Sequence, residues 1–378
     1  MKKFLLAPDS FKGTMNSIEV CRIMEKAIKK SYPDSKIQKV PISDGGEGTV
    51  DCLIEALGGK KIFTTVKGPY MNDMESFYGM LPDGRTAVIE MAACAGLPLV
   101  GEDKRVSEAT TYGVGQLILK SIENGAKNII VGLGGSATND LGAGMAAALG
   151  VKFIREDGEN FIPVGKNLSK IVRIDISGLK EKLKGIKVTA ICDITNPLYG
   201  KNGAAYVFAP QKGADEEMVK FLDMQLRSAA KVINRELDID ISNMPCAGAA
   251  GGMGGGMIAF LDAKIKKGID TILNTVDFDS LLMDTDVVIT GEGTLNSQSF
   301  DGKAVVGIAE RAKKYSVPVI AVVGYMDEEE KKAKAHGISA VFAINKDLRP
   351  FDEIKANAKK DLYAAMLKML NHIGKYIN

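Results

Sequence analysis

The chain has 378 residues, 46% of them hydrophobic and 25% charged, an ordinary soluble composition with length enough for about two domains. Lys plus Arg number 49 against 47 for Asp plus Glu, and the net charge of +2 gives no electrostatic case for nucleic acid or an anionic membrane. The apolar run in MKKFLLAPDS is too short for a signal peptide or a membrane span, and five scattered cysteines without a CxxC pair fit a reducing cytoplasm.

In chain order, KKFLLAPDS reads as a short buried strand. Ser17 is expected to cap a helix whose apolar stripe is Val20, Ile23, Met24, Ala27 and Ile28. KIQKVPISDGGEG then gives a second strand and a loop, and TVDCLIEALGG a second helix ended by Gly58 and Gly59. This βαβα opening implies a parallel sheet. From about 61 to 105 the runs KIFTTVKG, ESFYGMLP and RTAVIEMA, parted by short turns, have antiparallel character. Helix, strand and helix return at 107–149, KVTAICDITNP is a further strand, and 215–237 reads as one long helix. Beyond a glycine-rich segment at 248–257 come DVVITGEG, a helix at 303–315, PVIAVVG, another helix and AVFAINKD. The expected architecture is two α/β domains. Residues 1–65 and 285–378 form a discontinuous Rossmann-like parallel-sheet domain, 66–284 a larger inserted mixed α/β domain, and the active site lies in the cleft between them.

Ligands of open parallel sheets gather at the C-terminal ends of the strands. The first strand is followed by Asp9, Ser10 and Lys12, and the second by Asp44 and Glu47 around paired glycines. Gly134, Gly135, Ser136, Asn139 and Asp140 follow the strand at 128–131, and Asp193, Thr195 and Asn196 follow VTAI. Gly291, Glu292, Asn296, Gln298 and Lys303 follow VVIT. Any one such turn is explained by a helix cap and a glycine at positive φ. Caps do not require lysines or paired acids, so the five together point to a partner with several negative charges and a metal. Because His336 and His372 are the whole histidine inventory, chemistry here must run on carboxylates, lysines, amides and backbone N–H groups.

GLGGSA, from Gly132, fits the relaxed dinucleotide fingerprint G-x-G-x-x-A after a strand and before a helix, with Glu156 and Asp157 a little over twenty residues on. A nicotinamide-dependent dehydrogenase using the Gly132–Gly134 loop is therefore one reading. The same backbone N–H groups suit the phosphates of ATP equally well, and the dinucleotide reading leaves Lys12, SDGGEGT and GEGTLNSQS without a purpose. No G-x-x-x-x-G-K-[ST] occurs. The second cluster, CAGAAGGMGGGM, is either close packing of backbones, a flexible wall of the nucleotide pocket, or a hinge.

APDSFKGT, ISDGGEGT, GLGGSATNDLGAG, CDITNPLYGKNGAAYVFAPQKGA, AGAAGGMGGG and ITGEG…QS…GKA resemble, in order and over nearly the whole chain, the type-I glycerate kinase family. The resemblance implies transfer of the γ-phosphoryl group of ATP to D-glycerate with Mg²⁺, usually giving 2-phosphoglycerate. It also implies two α/β domains, one split in sequence. Where the family usually has GEGxxDxQ, this chain has Asn296; an amide is no base and a weaker Mg²⁺ ligand, and the position is read as a hydrogen-bonding one. From the residues available to hold and neutralise a transferred phosphoryl group, the expected roles are catalytic for Asp193, Lys12 and Asp44, with Asp193 as base or hydroxyl-orienting acid. Gly134, Gly135, Ser136, Asn139, Gly291 and Glu292 would hold the nucleotide, and Asp44, Glu47 and Glu292 the Mg²⁺. Asp9, Ser10, Asn196, Asn296, Gln298 and Lys303 would meet the substrate. The partners expected are glycerate and ATP, with no nucleic acid and no membrane, for a monomer or homodimer. A non-catalytic sensor on the same fold is the alternative from another class.

Overall fold

The computed structural model describes residues 1–43, 45–300, 303–327, 330–345, 347 and 350–375. The chain opens with β1 (Lys3–Pro8) and β2 (Lys36–Lys39), followed by β3 (Lys60–Lys67), β4 (Asp73–Met80) and β5 (Thr86–Glu90). Next come β6 (Asn128–Gly132), three short strands β7 (Lys152–Ile154), β8 (Asn160–Phe161) and β9 (Arg173–Asp175), then β10 (Lys187–Ile191) and β11 (Lys264–Lys266). β12 (Val287–Leu295), β13 (Val319–Met326) and β14 (Ile338–Ala343) close the series. Two compact units result, one of residues 1–44, 51–58 and 268–378, the other of 45–50 and 59–267.

The first unit holds an all-parallel sheet in the order β14-β13-β12-β1-β2. β1 and β13 are near-continuous apolar runs because both faces are covered, while the edge strand β2, KIQK, is half exposed. Phe4 and Leu6 face a cluster with Val20, Met24, Leu362 and Met366 from helices Ser17–Ser31 and Phe351–Leu370. The helix Ala304–Lys313 packs on β12 and β13 as well. This is a doubly wound sheet of the Rossmann-like class in the 2-1-3-4-5 order, which puts the topological switch point between β1 and β12. The first helix is capped by Asn16 rather than Ser17. Asn16 Oδ1 accepts from Glu19 N at 2.9 Å, and the Glu19 carboxylate accepts from Asn16 N at 3.1 Å, a full capping box. Ser17 instead sits inside the first turn, its hydroxyl donating to Ile42 O.

The second unit is built on a six-stranded mixed sheet, β11-β10-β6-β5-β4-β3, with β7, β8 and β9 as a separate small sheet. The antiparallel character expected from 61 to 105 holds for β3, β4 and β5, but β5 then pairs in parallel with β6. The long helix runs Glu216–Leu237, with Asp215 accepting from Met218 N at 2.8 Å as its cap. No helix among the described residues is long and apolar enough to cross a membrane.

Candidate active site

In the first unit, β1 ends against β12, which runs on to Leu295. Pro8 pairs with Gly291, and Asp9 N donates to Gly291 O at 2.8 Å, so Asp9 leaves β1 beside Glu292, which is still within β12, at the switch point. Gly291 itself serves packing, because a Cβ there would stand 2.2 Å from Val322 O. Glu292 is 9% exposed, and its Oε1 receives no hydrogen bond among the described residues. Burial pushes its carboxyl up to about 7; Asp9 adds to the rise, while a hydrogen bond with Ser299 and the charges of Lys303 and Lys12 oppose it. A desolvated carboxylate with an unused oxygen calls for a cation or a proton.

Around Glu292 the other candidates take distinct positions. Asp9 Oδ1 accepts from Ser10 N at 2.6 Å. The turn after it closes through Phe11 N to Met15 O at 2.9 Å, with Gly13 at φ 79°, and leaves Lys12 exposed on the turn. Asn296 N donates to Ser299 Oγ at 3.2 Å, and Lys303 is the exposed residue preceding helix Ala304–Lys313. Asp44 lies outside the described residues, as does the side chain of Gln298.

In the second unit, β6 and β10 end together at the pair Gly132 and Ile191. The stretch that follows, 133–142, does not open a helix; the next helix begins only at Ala143 and spans six residues. The dinucleotide reading required that helix terminus, and the exposed Glu156 and Asp157 lie in the turn between β7 and β8. Two of the glycines serve backbone packing: a Cβ on Gly132 would lie 2.0 Å from Gly45 O, and one on Gly134 2.7 Å from Gly46 Cα. Gly135, at φ 75°, is the one that needs glycine for its conformation. The expected outcome for Gly132→Ala is a loss of about 2–3 kcal/mol in urea unfolding; an unchanged midpoint would remove the backbone contact.

The loop is held from several sides. Asp140, fully buried, accepts from Thr111 N at 2.7 Å, Thr111 Oγ1 at 2.8 Å, Gly142 N at 3.1 Å and Gly144 N at 3.2 Å. The glycine-rich segment packs against it: Leu141 N donates to Gly251 O, and a Cβ on Gly251 would stand 2.0 Å from Thr138 O. Ala250, Gly251 and Gly252 all have positive φ before the helix continues to Leu261, so the second glycine cluster is close packing. Asn139 is fully buried, with both amide atoms lacking a partner among the described residues. Asp193 is exposed just beyond β10, and Asn196 Nδ2 donates to Asn202 O at 2.8 Å. Glu47 is exposed.

Two buried polar residues have no counterpart among the sequence candidates. Glu90, at the end of β5, accepts from Val50 N at 2.7 Å. Lys212, 2% exposed, donates to Ser136 Oγ and to Thr138 O, both at 2.7 Å. Its motif, PQKGA, is among the stretches that carry the family resemblance, but nothing in a polar, glycine-containing context announces that a lysine is buried.

Acids, lysines and loop N–H groups beyond the C-terminal ends of parallel strands are the groups a phosphotransferase uses. The chain belongs to the Glycerate kinase family, whose profile matches residues 4–374, and it is a kinase of that family. It is 45% identical over 361 residues to a glycerate kinase of Bacillus cereus, covering 95% of each chain. It is 44% identical over 352 residues to a glycerate 2-kinase of Escherichia coli, covering 93% of this chain and 92% of that one. The crystal structure of a protein assigned as glycerate kinase 2 from Salmonella typhimurium LT2 superposes with a TM-score of 0.88 at 38% identity, covering 99% of this chain and 98% of that one.

Proposed function

We propose that this kinase transfers the γ-phosphoryl group of ATP to D-glycerate, giving 2-phosphoglycerate and ADP, with Mg²⁺ as the metal. The observation that carries the reading is Glu292: a buried carboxylate with an unused oxygen, beside Asp9 and under the charges of Lys12 and Lys303. Mg²⁺ commonly binds through one or two carboxylates and completes its shell with substrate phosphates and water. Glu292 would hold the metal, with Asp44 or Glu47 as further ligands, and the bound ion would neutralise charge on the phosphates.

The remaining residues act on the substrates directly. The N–H groups of Gly135 and Ser136, with the Ser136 hydroxyl, bind phosphate oxygens, and the unpartnered Asn139 amide of the same loop belongs to the nucleotide site. Lys12 and Lys303 offset negative charge around the transferred group. Asp193 accepts or orients the proton of the attacking glycerate hydroxyl, while Ser10 and Asn196 help to place glycerate; these groups supply positioning and electrostatics, the two things phosphoryl transfer needs. The sheet order supports the placement, since the β1/β12 switch point is where doubly wound sheets bind ligands.

The test is a coupled assay of ADP release with D-glycerate, ATP and Mg²⁺, with the product's phosphate position read by NMR. Glycerate-dependent ADP release with the phosphate on the 2-hydroxyl is the expected result, and it would also exclude a sensor without turnover. Mg-ATP should raise the melting temperature and NAD should leave it unchanged; the reverse pattern would restore the dehydrogenase.

A further inference from the structure

We propose that Lys212 is a positioning residue of the phosphate-binding loop, turning the Ser136 hydroxyl outward so that its proton is donated to an anionic oxygen of the substrate. The inference rests on the placement of nucleotide phosphates at Gly135 and Ser136.

An ammonium can only donate, having no lone pair, so with Lys212 charged the serine oxygen is the acceptor in the contact at 2.7 Å between Lys212 Nζ and Ser136 Oγ. The hydroxyl's own hydrogen must then leave along another direction. The loop fixes the serine backbone independently, through Leu97 N to Gly135 O at 2.8 Å and Ala137 N to Ala95 O at 2.9 Å. With backbone and oxygen both held, the hydroxyl is preset as a donor, the arrangement that costs no reorganisation when negative charge arrives.

The ammonium is the form that fixes this direction, since a neutral amine keeps a lone pair that would accept the serine proton; two of the ammonium N–H groups are matched by Ser136 Oγ and Thr138 O. For the third, no acceptor exists among the described residues. Full burial brings Lys212 down to about 7, and the Asp140 carboxylate, the charged group acting on it, opposes that fall. An anion at the loop would favour the ammonium, strengthening the bond to Ser136 when it is needed. Asn139, buried in the same loop with both amide atoms unpartnered, is a second sign that this loop is shaped for a ligand.

The experiment uses the full-length protein with S136A, K212M and the double variant, measuring kcat and KM separately for ATP and for D-glycerate. Each single variant should lower kcat/KM for ATP on the order of 10- to 100-fold, with KM for ATP raised. The double variant should fall less than about threefold below K212M, because the lysine works through the serine. Independent, multiplying losses would overturn the proposal, as would a K212M enzyme that loses kcat alone. A rise in KM for glycerate alone would overturn the nucleotide placement. S136A removes only a hydroxyl, so S136A at wild-type kcat/KM would refute the inference even where K212M does not fold. Absence of any glycerate-dependent ADP release by the wild type would instead refute the kinase reading on which this one stands.

Discussion

Glu292→Gln should lower kcat/KM on the order of 10³-fold while making the metal-free protein more stable at pH 8. Both effects have one cause. Taking the carboxylate out of water raises its pKa from an ordinary 4.5 to about 7, so the folded state binds this proton more tightly than the unfolded chain. Stability from the group is therefore greatest below about pH 4.5, falls as pH rises to about 7, and stays at its lower value above that. The interval corresponds to about 3 kcal/mol at most. Glutamine keeps the shape and carries no charge, so it escapes that cost but offers no anionic oxygen to a metal. Urea unfolding of the wild type and E292Q at pH 8 and pH 4.5 decides the matter. The variant should be ahead by up to about 3 kcal/mol at pH 8 and level at pH 4.5. A variant less stable at pH 8 would mean that Glu292 serves the fold, and one with unimpaired turnover would remove it from the reaction. The trade of stability for function is common where a site keeps charge in a dry place.

Local signals made much of this architecture legible. The apolar runs of β1, β12 and β13 and the stripe of Val20, Met24, Ala27 and Ile28 are consequences of burial on both faces of a sheet and one face of a helix. The order of the strands was not legible, because the pairing of β1 with β12 joins residues more than 280 positions apart, and no local pattern encodes that choice. The helix cap was missed by one residue: Asn16 and Ser17 are both good caps, and only the reach of Glu19 back to Asn16 N distinguishes them. The glycines show a different difficulty. Gly132, Gly134 and Gly251 look like a ligand loop in sequence, yet each is small because another backbone passes within the space of a methyl group. A requirement set by a segment dozens of residues away leaves the same letter as a requirement set by a phosphate. The candidates with side chains fared differently. Asp9 and Glu292, remote in sequence, come together where β1 ends against β12, whereas Lys212 carried no sign of its burial.

Asp193→Asn should reduce kcat on the order of 10³-fold with KM for glycerate changed little, a magnitude typical of a lost general base or hydroxyl-orienting acid. β10 carries the chain to Ile191, paired with Gly132 at the end of β6, so Asp193 leaves its strand alongside the strand exit that leads to Ser136. Its side chain is exposed, and exposed residues away from packed networks rarely contribute more than about 0.5 kcal/mol to stability. Asparagine preserves size and hydrogen-bonding reach but cannot take a proton, so the substitution separates charge from shape. Lys12→Ala tests the opposite charge. Lys12 too is exposed, on a turn closed by Phe11 and Met15, and its removal should cost turnover by a comparable factor while leaving the melting temperature within a degree or two. The informative comparison is between the two variants. If Asp193 orients the hydroxyl, D193N should bind Mg-ATP as the wild type does and fail only in the chemical step, seen as a lost burst in single-turnover kinetics. If Lys12 bears on the phosphoryl group, K12A should also weaken Mg-ATP binding. Near-native kcat in D193N would pass the proton to another acid, and Glu47 and Asp9 would be next to test.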